Sequence, residues 1–176
     1  TWDPDGQFKA GKFAKKADGT WWGWGGNTTG SLGQNNAISY SSPVQIPGTW
    51  AQIDGGRNSL GVKTDGTLWT WGGNLNGNLG LNDQVQRSSP VQIGTGTDWS
   101  SNRGGVKAAQ TNGCSGCIKT DGTLWMWGKN QFGCIGQNQA SPQVGAFSSP
   151  TQVPGVYTQI QHTNQEQYGI TSMRAV

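Results

Sequence analysis

Side chains able to do chemistry are scarce here. The 176 residues hold one histidine, His162, one glutamate, Glu166, eight aspartates and three cysteines. An enzyme of hydrolysis or group transfer needs an activated nucleophile, a base or a metal cluster. His162 stands in the polar stretch Gln161 to Gln167, which reads as a loop, so its ring is expected to be solvated. Asp18, Asp65 and Asp121 each precede a glycine. In an Asp-Gly turn the carboxylate bonds local backbone, and that role is expected of all three.

Cys114-Ser115-Gly116-Cys117 is a Cys-x-x-Cys, with Cys134 the third thiol. A structural zinc ion takes four ligands. His162 would complete a Cys₃His set, but the spacing matches no finger. A redox Cys-x-x-Cys sits at a helix N-terminus, whereas the residues after Cys117 read as a strand. The expectation is therefore small, partly buried thiols. Asp3-Pro4-Asp5-Gly6 opens like a calcium loop but lacks the later ligands, so it reads as a turn. Gly72-Gly73 and Gly104-Gly105 do not run on into Gly-Lys-Ser/Thr and make no P-loop. No catalytic residue, cofactor or metal is expected, and the chain reads as non-enzymatic.

What the sequence offers instead is repetition. Thr64-Asp65-Gly66-Thr67-Leu68-Trp69-Thr70-Trp71-Gly72 returns as Thr120-Asp121-Gly122-Thr123-Leu124-Trp125-Met126-Trp127-Gly128. A looser copy is Ala17-Asp18-Gly19-Thr20-Trp21-Trp22-Gly23-Trp24-Gly25. Asp-Gly is a strong turn signal because glycine accepts φ > 0. The alternation after it predicts a strand, with Leu68 and Thr70 on one face and Trp69 and Trp71 on the other. Each copy leads into Gly-x-Leu/Ile-Gly, at Gly30–Gly33, Gly77–Gly80 and Gly133–Gly136. Ser-Ser-Pro comes next, at Ser41, Ser88 and Ser148, and proline pushes the residue before it to extended geometry. An aromatic position closes each unit: Trp2 to Trp50 is 48 residues, Trp50 to Trp99 is 49, and Trp99 to Tyr157 is 58. The third unit is lengthened around Asn102 to Thr111 and Gln137 to Phe147. A period near 50 with several short strands marks a propeller or similar array.

The expected fold class is all-β, in units spanning 1–49, 50–98 and 99–156, with residues 157–176 starting a fourth. That fourth unit reaches Gln167-Tyr168-Gly169-Ile170-Thr171, and Met173 stands where aspartate would be. Thirty glycines and ten tryptophans sit beside only 12% charged residues, so indole rings must supply much of the core. No apolar run reaches membrane-spanning length, and no secretory leader pattern is seen. The first residue is Thr1, so the sequence reads as a processed product, a fragment or the ordered part of something longer.

The order Asp-Gly-x-Leu-Trp-x-Trp-Gly, Asn-x-x-Gly-x-Leu-Gly, Ser-x-Pro resembles the RCC1 (regulator of chromosome condensation) repeat. Asn74-Leu75-Asn76-Gly77-Asn78-Leu79-Gly80 carries the middle motif, with Asn27 and Asn130 in the same place in the other copies. Asn27-Thr28-Thr29 also fits an N-glycosylation pattern, but its coincidence with the family's Asn implies a backbone-bonding role. The resemblance implies four-stranded blades of a β-propeller, typically about seven around an axis. Three units cannot close such a ring alone. The chain is therefore expected to belong to a longer protein, to associate with other copies (two chains making a six-bladed ring is one way), to be capped by a partner, or to stack as an open array.

The paired tryptophans recur in every unit, which argues for packing between blades rather than one binding site. Trp21 replaces the leucine of the other copies and is expected to be exposed, which makes it a candidate for glycan stacking. Lys9, Lys12, Lys15 and Lys16 cluster at the front. With a net charge of only +3 they argue against nucleic acid and for a solvated face or an acidic neighbour. The leading functional expectation is a structural or protein-interaction module in a larger assembly. The low charge and polar, Trp-rich composition suggest a virion or cell surface, as in a phage fibre or decoration protein. The resemblance alone implies a second reading, a guanine-nucleotide exchange or chromatin-binding regulator. A lectin-like module is a third.

Overall fold

The computed structural model describes residues 12–101, 106–107, 113–130, 133–137, 146–165 and 170–175. Among them there is no α-helix. The strands form antiparallel meanders in chain order. The first sheet holds β1 (Lys12–Lys15), β2 (Trp21–Gly25) and β3 (Tyr40–Gln45). The second holds β4 (Trp50–Gly55), β5 (Asn58–Lys63), β6 (Leu68–Gly72) and β7 (Arg87–Gln92). The third holds β8 (Val106–Lys107), β9 (Cys114–Ile118), β10 (Thr123–Lys129) and β11 (Ala146–Val156). A final pair joins β12 (Ile160–Gln165) to β13 (Ile170–Ala175). Trp2 and Asp3 to Gly6 lie outside the described residues, as does any counterpart of β4 in the first sheet.

Local chemistry sets each element. The Gly66 amide donates to the Lys63 carbonyl (3.0 Å) and Lys63 returns a bond from its amide to the Thr67 carbonyl (2.9 Å). The turn requires Gly66 at φ 81°, a conformation costly for any residue with a Cβ. Pro43, Pro90 and Pro150 lie on β3, β7 and β11, each the outermost strand of its sheet, where a missing amide breaks no ladder. The register of β2, β6 and β10 shifts at Trp24, Trp71 and Trp127, between Gly23 and Gly25, Thr70 and Gly72, and Met126 and Gly128. Such bulges re-aim a side chain, here the second tryptophan of each copy.

The alternation read from the sequence then divides the core. Trp71, with Trp50 and Ile53 of its own sheet, packs against Trp21 and Ile46 of the first sheet. Leu68, Leu60 and Val62 face the other way, onto Trp127, Val106 and Cys117 of the third. The middle sheet is buried on both sides. Ile160 in turn joins the cluster of Cys114, Ile118, Leu124, Met126, Ile135 and Val153.

Two expectations fail. His162 lies in strand β12, paired with Met173, rather than in a loop. Cross-strand pairing with β13 orders a segment whose polar composition carries no strand signal. Trp21 is buried, 7% exposed, and its indole N–H donates to the Trp50 carbonyl at 3.1 Å. Room for the larger ring comes from Gly23, two residues on along the same face, where the other copies carry Thr70 and Met126. A Cβ at Gly23 would already press on Leu32, Ile46 and Phe13.

Candidate functional site

Two constructions recur, one at the turn of each sheet and one at the seams between sheets. At the turns, Asp18, Asp65 and Asp121 each accept bonds from the amide and hydroxyl of the threonine two residues on. For Asp65 these are 3.0 and 2.6 Å from Thr67. The threonine hydroxyl oxygen accepts in turn from an indole: Trp22 to Thr20 at 2.9 Å, Trp69 to Thr67 at 2.8 Å, Trp125 to Thr123 at 3.1 Å. A lysine two residues before the aspartate covers the same indole. Lys16 Nζ lies 3.5 Å from the Trp22 ring centre and Lys63 Nζ 3.6 Å from that of Trp69. Lys119 sits between Trp99 and Trp125, at 5.1 and 5.2 Å. The Asp-x-Thr-x-Trp spacing is thus a relay that holds the turn, and the lysine adds a cation–π contact.

The threonine bonds favour the ionised carboxylate. The Thr67 hydroxyl, then its amide, then the Lys63 charge hold Asp65 below the ordinary 3.8; at Asp121 the Thr123 amide leads. Because folding lowers these values, the stabilisation is complete above 3.8 and disappears as pH falls through the folded value. The urea midpoint is expected to drop below about pH 4. Asp65→Asn, which keeps an acceptor oxygen but cannot titrate, should make that acid dependence shallower. An unchanged acid slope in the variant would remove Asp65 from the account.

At the seams, the Gly-x-Leu-Gly loop of one sheet receives the next. The Ser31 carbonyl accepts from Trp71 Nε1 (2.7 Å) and the Ser59 hydroxyl (2.7 Å). The Asn78 carbonyl accepts likewise from Trp127 Nε1 (2.9 Å) and the Ser115 hydroxyl (2.9 Å). The Asn35 and Asn82 amides donate to the Ser88 and Ser148 carbonyls at 2.9 and 2.7 Å. Gly30 and Gly77 lie so close to Ser88 and Ser148 that an added Cβ would stand 2.6 Å from either Cα. Within each sheet a buried asparagine holds the loop. Asn74 Nδ2 donates to the Asp83 and Val85 carbonyls (3.0 and 3.1 Å), and its Oδ1 accepts from the Leu79 amide (2.9 Å). Asn27 makes the equivalent set and is fully buried, consistent with the backbone-bonding role and with no access for a glycan.

The front lysines do not form one patch among the described residues. Lys15 Nζ reaches the Ala51 carbonyl (3.2 Å) while Lys16 covers Trp22. Lys12 opens β1, and Lys9 lies outside the described residues. Cys114 and Cys117 are buried in β9, and burial pushes the Cys117 thiol far above its ordinary range. The lysine caps escape a reading of the sequence for motifs, although the fixed Lys-x-Asp spacing at Lys16, Lys63 and Lys119 is there to find.

A family model described as "Regulator of chromosome condensation (RCC1) repeat" matches residues 65–107 and 121–163. These two stretches of the chain are tandem RCC1 repeats. The matched RCC1 segments start at the Asp-Gly turn, so each runs from the last two strands of one sheet into the next. No curated relative matches the sequence. Among solved structures, human WBSCR16 is similar at 20% identity and TM-score 0.64, over 86% of this chain and 40% of that one. Prp20p from Saccharomyces cerevisiae, in a structure whose description includes its binding to Gsp1p and histones, matches at 18% and 0.64, over 83% and 36%. The structure of Kap60 bound to yeast RCC1 (Prp20) matches at 16% and 0.65, over 86% and 37%. These likenesses are of fold. The chain spans about two fifths of those chains, and its three sheets are RCC1-like propeller blades in an open arc.

Proposed function

We propose that this chain is a non-enzymatic protein-interaction module, a run of RCC1 blades that works inside a larger assembly. The observation behind the reading is how its polar side chains are spent. Asp18, Asp65, Asp121, Asn27, Asn74, Asn78 and the indole N–H groups of Trp21, Trp22, Trp69, Trp71, Trp125 and Trp127 bond within or between blades. What remains for function is surface, and blades present surfaces. Among solved neighbours, Prp20p is described with Gsp1p and histones, and yeast RCC1 with Kap60. Protein partners are the class these examples support. The low charge and Trp-rich, polar composition favour a virion or cell-surface setting for the assembly. Purification of the native product with its complex, and then mass measurement, is expected to find it bound to other protein. Recovery alone, or accelerated nucleotide release from a small GTPase, would replace this reading with that of a free-standing regulator.

A further inference from the structure

The chain crosses from each sheet to the next through an aromatic residue: Trp50, Trp99 and Tyr157. At the first and last of these joints the polar tip of the ring closes onto the chain just before it. Trp50 Nε1 donates to the Pro47 carbonyl at 2.9 Å, and the Tyr157 hydroxyl donates to the Pro154 carbonyl at 2.7 Å. Both acceptors lie three residues back. A glycine follows each of them, Gly48 at φ 115° and Gly155 at φ 118°. That left-handed step belongs to the turn that brings the proline carbonyl to the ring.

The middle joint is built differently. It reads Gly94-Thr95-Gly96-Thr97-Asp98-Trp99. Three residues before Trp99 stands Gly96, and the residue after it is Thr97, which does not take a positive φ. A β-branched residue is rarely found there. Trp99 is only 7% exposed, and its Nε1 is buried with no hydrogen-bond partner. Asp98 Oδ1 is likewise buried and unpartnered, although the side chain as a whole is half-exposed and its Oδ2 meets Lys119 Nζ at 3.0 Å. The backbone that carries both atoms is fixed between two Asp-Gly turns. The Trp99 amide donates to the Gly66 carbonyl (3.2 Å), and the Asp98 carbonyl accepts from the Thr120 amide (2.8 Å).

The two atoms face one spot. A Cβ added at Gly96 would stand 2.9 Å from Asp98 Oδ1 and 3.6 Å from Trp99 Nε1. Beyond its own chain neighbours it would meet no other described atom within 4 Å. A carboxylate oxygen only accepts and an indole N–H only donates, so the group between them must do both. A metal ion cannot take the N–H, and an anion would face the carboxylate. Both atoms are shut off from bulk solvent, which leaves no entry for a larger hydroxyl compound. We infer that an ordered internal water molecule is bound beside Gly96, donating to Asp98 Oδ1 and accepting from Trp99 Nε1. It does at this joint what the Pro47 and Pro154 carbonyls do at the others.

Nuclear magnetic resonance of the nitrogen-15-labelled chain tests this directly. The Trp99 indole N–H, assigned by its loss in Trp99→Phe, is expected to show a rotating-frame Overhauser contact with water, of the sign that separates bound water from proton exchange. The Trp50 indole N–H meets a carbonyl and should show none. Gly96 lies outside the left-handed region, so a side chain there brings no backbone strain. Gly96→Ser places a hydroxyl on the water's side of the chain and should abolish the Trp99 contact while keeping both bonds. Gly96→Ala expels the water and replaces neither bond. Urea unfolding should therefore rank serine above alanine, by about tenfold in the folding equilibrium constant. Absence of the bound-water contact at Trp99 in the unsubstituted chain overturns the inference. So does an alanine variant as stable as the serine one. If either variant fails to fold, the contact in the unsubstituted chain decides alone.

Discussion

Trp71→Ala is expected to destabilise the chain by about 3–5 kcal/mol, the range for emptying a buried aromatic site. The indole is fully buried. It touches Trp50 at a ring separation of 5.3 Å and belongs to the cluster that joins the first two sheets. Its N–H also supplies one of the two bonds on the Ser31 carbonyl. Truncation therefore removes packing and hydrogen bonding from the same seam. Trp24→Ala is the internal control: same register, partly exposed, no blade before it among the described residues. It should cost the monomer clearly less. Urea unfolding of both variants, monitored by far-ultraviolet circular dichroism, reads the difference. Equal losses would mean that Trp71 acts within its own sheet and that the seams contribute little.

The contrast shows what the sequence could and could not disclose. The turn, the strand after it and the loop asparagine recur at fixed spacing, and each has a local physical cause, so all were legible. The class of fold came with them, and so did tryptophan packing between blades, which was expected of both members of each pair but is fullest for the second at Trp71 and Trp127, the first being only partly buried beside the turn lysine. Trp21 misleads because a leucine-to-tryptophan change is weighed at one position. The compensation lies at Gly23, on the same face, where a Cβ would stand 3.1 Å from Leu32. His162 misleads for a different reason. Nothing in Gln161-His162-Thr163-Asn164 alternates in polarity, and only its partner β13 makes it a strand. That strand also runs on through Met173 to Ala175, since no Asp-Gly turn stops it. The seam contacts are invisible as pairs, because Asn35 and Ser88 are far apart in sequence and neither is unusual alone. Unequal loops also change one tryptophan's surroundings. The connection into Trp99 is two residues longer than the one into Trp50, and Trp99 Nε1 lacks the kind of carbonyl that Pro47 offers Trp50 at 2.9 Å.

Asn74 offers the sharper test of why the middle motif needs asparagine. Its side chain is 1% exposed and acts as donor and acceptor together. The amide nitrogen donates to the carbonyls of Asp83 and Val85 and to Asp83 Oδ1 (2.9 Å), while the oxygen accepts from the Leu79 amide. Aspartate has the same shape but, when ionised, only accepts. Asn74→Asp would keep the Leu79 bond and turn three attractions into contacts between oxygens, one of them the Asp83 carboxylate. The expected loss is about 2–4 kcal/mol at neutral pH, from unpaired buried acceptors at roughly 1–3 kcal/mol each and the burial of a charge. Burial and the nearby oxygens favour the protonated acid, whose O–H restores one donor. The variant should therefore recover part of its stability as pH falls towards 5, the direction opposite to that expected of Asp65. Asn74→Ala loses both functions and should show no such recovery. If the aspartate and alanine variants lose the same amount at every pH, the donor role is not what holds the loop, and shape alone would explain the residue.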